Sequence, residues 1–194
     1  MNSAILTTSP RKLMTTKDLL ALPEDDGVER ELSHGVLTER EMTRRNRRHT
    51  RAGTKIGKIL DTWLDSRPKP RGEVLTGEAG FQLTHDPDTT VGIDVAYISA
   101  ELSQSTPKDA FIIDGVPVLA VEILSPSDQQ QHVLRKVKDL LEAGVPLVWL
   151  VETVFETITV YSPTARPRML TIDDEITAEP HLPGLRIAVA RVFE

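Results

Sequence analysis

The feature that most constrains this chain is a set of short apolar runs broken by single acids. Residues 92–99 read GIDVAYIS and residues 117–124 read PVLAVEIL. Both are rich in β-branched residues and bounded by turn formers, the pattern of strands buried on both faces. A third run, 146–152 (PLVWLVE), has the same character. Strands buried on both faces need helices on both sides, and the intervening sequence supplies them. Residues 43–66 repeat Ile56, Ile59, Leu60, Trp63 and Leu64 at helical spacing and end at Pro68 and Pro70. A second helical pattern starts with Ser127 as N-cap and Asp128 beside it, and runs to about Ala143, where Gly144 stops it. Around this core the spacing predicts a short helix capped by Thr16, a hairpin of 28–32 and 36–40, and a strand near 80–83. A polar connection over 100–115 follows, then strands at 155–161 and 168–172, and a closing strand with a helical cap after Leu182. The order predicts an α/β domain over 15–194, a mixed β-sheet flanked by helices, preceded by a loose tail over 1–14.

Bulk properties narrow the class. With 4% aromatics the core of this 194-residue chain must be aliphatic, and without cysteine there are no disulfides, thiolate metal sites or cysteine nucleophiles. No segment approaches the apolar length of a membrane span or a secretory leader, which predicts a cytoplasmic protein without a membrane partner. The net charge of −6 hides a local reversal: between Arg40 and Lys58 eight basic residues face one acid, Glu41. A charged run of this kind is either a solvated helix face or a track for a phosphate backbone. No aromatic residue is interleaved with it, so base stacking is not predicted there.

Asp94 and Glu122 are the most informative residues. An unpaired carboxylate inside an apolar strand is costly, and two on neighbouring strands repel, raising one pKa unless a cation intervenes. A divalent ion held by two carboxylates resolves both problems. The competing reading places each acid at a strand end, against solvent or an arginine.

Asp94 in GIDVAYIS, Glu122 in VEILSPSD, the lysine-bearing helix ending in AGV and the strand VWLVE together resemble the Uma family of restriction-endonuclease-like proteins, within the PD-(D/E)XK nuclease superfamily. The resemblance runs from about Met14 to the end. It includes Arg30-Glu31-Leu32 with Gly35, His49, and the closing LPGLRIAV. It implies a restriction-endonuclease-like fold, Mg²⁺ (or Mn²⁺) bound by Asp94 and Glu122, Glu31 as an assisting carboxylate, and hydrolysis of DNA phosphodiester bonds. It also implies a homodimer, by analogy with nucleases that cut both strands. The superfamily lysine usually follows the second acid by two residues, where this chain has Leu124. The resemblance moves that role to Lys136 on the next helix, to orient water or phosphate. A family-typical aspartate four residues before it is His132 here.

Helical geometry by itself does not choose Lys136. Val133, Leu134, Val137, Leu140 and Leu141 form the apolar stripe, and Lys136 and Lys138 flank its centre almost symmetrically. Glu31 reads equally as a solvated strand residue paired with Arg30, and His49 as a surface histidine or a phosphate contact. Arg44, Arg45, Arg47, Arg48 and Arg51 are the candidate DNA contacts. Two function classes follow: a metal-dependent endonuclease, or a non-catalytic DNA-binding or protein-interaction module on the same fold. A small phosphate ester as substrate is a third.

Overall fold

The structure, a computed structural model, describes residues 12–23, 27–42, 44–125 and 128–194. The chain opens with α1 (Thr16–Leu20) and the hairpin β1 (Val28–Ser33) and β2 (Val36–Glu41). His34 and Gly35 turn the hairpin in left-handed conformations, φ 49° and 75°. Next come α2 (Arg47–Asp65), β3 (Glu73–Thr84), β4 (Thr89–Ile98), α3 (Ala100–Ser105) and β5 (Ile112–Asp114). β6 (Leu119–Leu124), α4 (Gln130–Glu142) and β7 (Leu147–Glu152) form a parallel crossover unit. β8 (Thr157–Ser162), β9 (Ala165–Leu170), β10 (Glu175–Thr177), β11 (Arg186–Ala188) and α5 (Ala190–Phe193) complete the chain.

The predicted mixed sheet is present. Its main path is β2-β1-β4-β6-β7-β8-β9, with β3 and β5 joined through β4. β6–β7 and β3–β5 are parallel and the other pairs antiparallel. β3 follows one edge of β4 along its whole length. A strand has only two edges, so β1 and β6 share the other: β1 meets it at Thr90 and β6 at Val95–Tyr97. The sheet therefore forks beside residues 91–94.

Two cores sandwich the sheet. Ile56, Leu60 and Trp63 of α2 pack with Val95, Val121, Ile123 and Trp149 on one face, joined by Ile176 and Val192 from the C-terminal segment. Val137 and Leu140 of α4 pack with Ile93, Ala96, Ala120 and Val148 on the other. Period-2 alternation sends Val121 and Ile123 toward α2 and Ala120 toward α4, so Glu122 has the parity of the α4 face. Along β4 the alternation breaks at Asp94: Ile93 joins the α4 core and Val95 the α2 core. Among the described residues no helix is long and apolar enough to cross a membrane.

Several local expectations change. Helix α2 starts at Arg47 rather than near Thr43. Extended Asn46 (φ −74°, ψ 167°) caps it, its side chain accepting from His49 N–H at 2.9 Å, which fixes the entry point. Thr15 rather than Thr16 caps α1, in a capping box with Asp18. Thr16 instead is buried, its hydroxyl 2.8 Å from Asp88 and 2.7 Å from Thr90, tying α1 to β4. The predicted cap Ser127 lies outside the described residues; α4 begins at Gln130 with Gln129 at its cap position and no side-chain cap bond. The polar connection holds α3, capped by Ser99, and β5, which pairs through its backbone and so leaves little side-chain signal.

Candidate active site

Asp94 occupies the fork. On the β3 side it faces a bulge, where register jumps from Thr76↔Val95 to Ala79↔Ile93. The extra residues Gly77 and Glu78 are left-handed (φ 88° and 61°), which re-aims the Glu78 side chain. It comes to rest beside Gly92, where a Cβ would lie 2.9 Å from a Glu78 carboxylate oxygen. On the other side, β6 continues past its pairing with β4, and Ile123 N–H donates to Asp94 Oδ2 at 2.8 Å. Gly92 N–H likewise donates to the Glu31 carboxylate across the gap from β1. The two acids thus take the backbone donors that the splayed strands leave unpaired.

Lys136 enters this gap from α4. Its Nζ lies 2.8 Å from Glu122 Oε2 and 3.1 Å from Glu31 Oε1. Lys138 is 69% exposed and pairs with Glu142 at 3.6 Å. The buried face of α4 is turned from the apolar stripe toward Lys136: Lys136, Val137, Asp139 and Leu140 are buried while Leu134 is 47% exposed. Two buried carboxylates waiting on β1 and β6 explain the rotation, because leaving them uncompensated costs more than exposing one leucine.

Burial and the repulsion of Asp94 and Glu78 push the Glu122 carboxyl well above the usual range, against the pull of Lys136. Burial also pushes Glu31 up, but Lys136 and Arg40 outweigh it and hold it below its ordinary value. For Asp94 burial again opposes ionisation, and His49 with the Ile123 N–H overcomes it and lowers the pKa. Lys136 is desolvated yet held protonated by Glu122 and Glu31. The lysine therefore stays charged, and Glu122 is the acid that most resists ionisation.

These groups line one cavity of about 30 Å³, room for a water or two. Five carboxylates (Glu31, Glu78, Asp94, Glu122, Asp128) and three permanent cations (Arg40, Arg45, Lys136) border it. With all five acids ionised the surplus is two negative charges, the charge of one divalent ion; burial and mutual repulsion hold Glu122 and Glu78 back from ionising until a cation enters. Glu122 Oε1 is buried without a hydrogen-bond partner, and Asp94 Oδ1 is the oxygen not bonded to Ile123. Two hard oxygen donors and a buried orphan acceptor fit a magnesium-class ion. The fit is by two ligands only. Among the described residues, three His, Asp or Glu ligand atoms converge within 4.8 Å only at His34, Asp139 and Glu142, outside this cavity.

The remaining candidates divide. Glu31 turns to Lys136, whereas Arg30 reaches Glu39 at 2.9 Å. His49 is buried rather than at the surface, its Nε2 3.3 Å from Asp94 Oδ1. Arg45 leaves the other arginines, joining Glu78 and lying 3.7 Å from Glu29. Arg47, Arg48 and Arg51 line a separate pocket of about 210 Å³ with Thr153 and Phe193, and Arg44 is exposed. Phe155, 79% exposed on the β7–β8 turn, lies next to that pocket's Glu156 in sequence. The aromatic that the basic segment lacks locally is supplied to its pocket by Phe193 of α5. Glu78 was missed because a left-handed glutamate in a bulge has no local sequence signature; the neighbouring Gly77 is its one trace.

This α/β fold with an acidic cavity at a sheet fork is the fold of a nuclease-like protein. A crystal structure described as "a putative nuclease belonging to DUF820", from Anabaena variabilis ATCC 29413, superposes with a TM-score of 0.77 at 18% identity. The match covers 93% of this chain and 97% of that one. The chain belongs to the Uma2 family, described as "Putative restriction endonuclease", whose profile matches residues 16–190. No curated protein matches the sequence.

Proposed function

We propose that this protein is a metal-dependent endonuclease that hydrolyses DNA phosphodiester bonds, with Asp94 and Glu122 holding Mg²⁺ or Mn²⁺. The observation that carries the reading is the single cavity bordered by Asp94, Glu122, Glu31 and Lys136, in which carboxylates outnumber permanent cations. The chemistry supplied there by a bound divalent ion is activation of water and neutralisation of phosphoryl charge. The chain's own residues do the rest. His49 backs Asp94 from α2 and, with Ile123 N–H, keeps it ionised. Lys136 sets the spacing of Glu31 and Glu122 and presents a fixed positive charge to a phosphate oxygen. Glu31, held ionised, accepts a hydrogen bond from an incoming water and orients it. Arg47, Arg48 and Arg51 bind backbone phosphates away from the cut, and exposed Arg44 adds to the same positive segment. Cleavage of both strands needs two such cavities, so the active form is a homodimer. The test is plasmid cleavage with Mg²⁺ or Mn²⁺: loss in Asp94→Asn and Glu122→Gln is expected, and cleavage unchanged in both variants overturns the assignment.

One observation favours a second reading, a DNA-binding module without catalysis. Lys136 is already engaged by Glu31 and Glu122, and Arg45 by Glu78. If these pairs are permanent, the charge of Glu31, Glu78 and Glu122 is already compensated without an ion. Calorimetry with Mn²⁺ decides: no heat of binding in the wild type, together with DNA binding that disappears in Arg47→Ala/Arg48→Ala/Arg51→Ala, supports the module.

A further inference from the structure

We infer that His34, Asp139 and Glu142 form a second metal site, selective for a zinc-class ion and separate from the acidic cavity. His34 stands at the tip of the β1–β2 hairpin, and Asp139 and Glu142 lie on the facing side of α4. One ligand atom from each lies within 4.8 Å of the others. His34 Nε2 is 3.7 Å from Asp139 Oδ1 and 3.8 Å from Glu142 Oε2. Tetrahedral zinc with bonds of about 2.0–2.1 Å sets neighbouring ligand atoms about 3.4 Å apart. The two distances from His34 are thus a few tenths of an ångström from closing on an ion, and His34 and Glu142, each about half exposed, have room to adjust.

Asp139 supplies the independent observation. It is 5% exposed, and its neighbours in the cluster are His34 at 3.7 Å and the like-charged Glu142, whose ligand atom lies within 4.8 Å. Two carboxylates this close, one of them largely buried, call for a compensating charge. Lys136 fills that need one turn earlier on the helix, but Lys138 is engaged with Glu142 at the surface. One imidazole nitrogen with two carboxylates suits zinc, nickel or cobalt rather than magnesium, which prefers an all-oxygen shell. Three protein ligands leave the fourth position to water. An ion here ties the hairpin carrying Glu31 to the helix carrying Lys136, three residues from each. It bridges the two elements whose contact builds the acidic cavity, without itself entering it.

The test is titration of the full chain with Zn²⁺ alone, followed by calorimetry and by the imidazole NMR signals of His34. His34→Asn removes the ligand nitrogen while keeping a residue that tolerates the left-handed turn; Glu142→Gln is a second variant on an exposed helix face. We expect the His34 signals to shift with Zn²⁺ and not with Mg²⁺, and Zn²⁺ affinity at this site to fall at least tenfold in each variant. Binding should persist in Glu122→Gln, which separates this site from the acidic cavity. The inference is overturned if the His34 signals do not move with Zn²⁺, or if both variants bind Zn²⁺ like the wild type.

Discussion

Helix α4 carries two buried charged groups one turn apart, Lys136 and Asp139, and the contrast between them organises the molecule. Lys136 points into a closed gap between β1 and β6, with Glu31 and Glu122 within 3.1 Å of its Nζ. Asp139 points out toward the hairpin tip, where a half-exposed imidazole stands at 3.7 Å. In the first cluster the compensating cation is covalent, buried and permanent. In the second it is absent or exchangeable. Burial sets the difference: a desolvated carboxylate cannot borrow charge from solvent ions, so the protein supplies a lysine. At the rim, solvent and a mobile ion can do the same work.

The sharpest way to break this contrast is Lys136→Met. It leaves Glu122 buried without its cation and Glu31 with only Arg40 at 4.0 Å and the Gly92 N–H, and a loss of about 3–5 kcal/mol is expected in urea unfolding at neutral pH. Lys138→Met, on the exposed side, should stay within about 0.5 kcal/mol. If the two variants lose equal stability, the buried cluster has no special standing.

Next in size is Asp94→Asn, which can keep the acceptor for Ile123 N–H but removes the charge. Plasmid cleavage should fall by about 10³-fold, while unfolding stability changes far less. A parallel loss of both would show that Asp94 is structural rather than functional.

Asp88 provides a reference, a buried carboxylate held by neutral donors. It accepts from Thr16 N–H at 2.6 Å, the Thr16 hydroxyl at 2.8 Å and Gln82 at 3.0 Å. The Thr16 backbone bond leads in holding its pKa below its ordinary value, against the opposing effect of burial. The folded pKa is depressed, so its stabilisation is fully present above about pH 3.9 and is lost as pH falls through the folded value. Asp88→Asn should cost about 1–2 kcal/mol at pH 7 and flatten the acid limb of a stability-versus-pH curve. An unchanged acid limb would refute the assignment.

The smallest expected effect is His34→Asn without added metal, within about 0.5 kcal/mol by urea unfolding. A large loss would mean that a protonated His34 already compensates Asp139, bringing the two clusters closer in kind.

Much of the site was legible because charge inside an apolar strand demands an explanation. Asp94 and Glu122 stand out in GIDVAYIS and PVLAVEIL for that reason alone. The resemblance named Lys136, but helical spacing left it level with Lys138, since each flanks the apolar stripe. His49 reads as one more polar residue in an arginine-rich segment, yet it is buried against Asp94. The arginines read as one patch, yet Arg45 turns to Glu78 while Arg47, Arg48 and Arg51 line a different pocket. Consecutive helical residues point about 100° apart, so a run along the sequence is not a face in space.

The sequence by itself determined the central strands, the two long helices and the two acids that do not belong among apolar neighbours, because hydrophobic period and buried charge are properties of short segments. Only the tertiary structure decided how β1 and β6 part along β4, how the Gly77–Glu78 bulge brings in a further carboxylate, and which lysine turns inward. Those outcomes depend on backbone donors and charges from segments far apart in the chain. Their energies exist only once the sheet has brought the segments together.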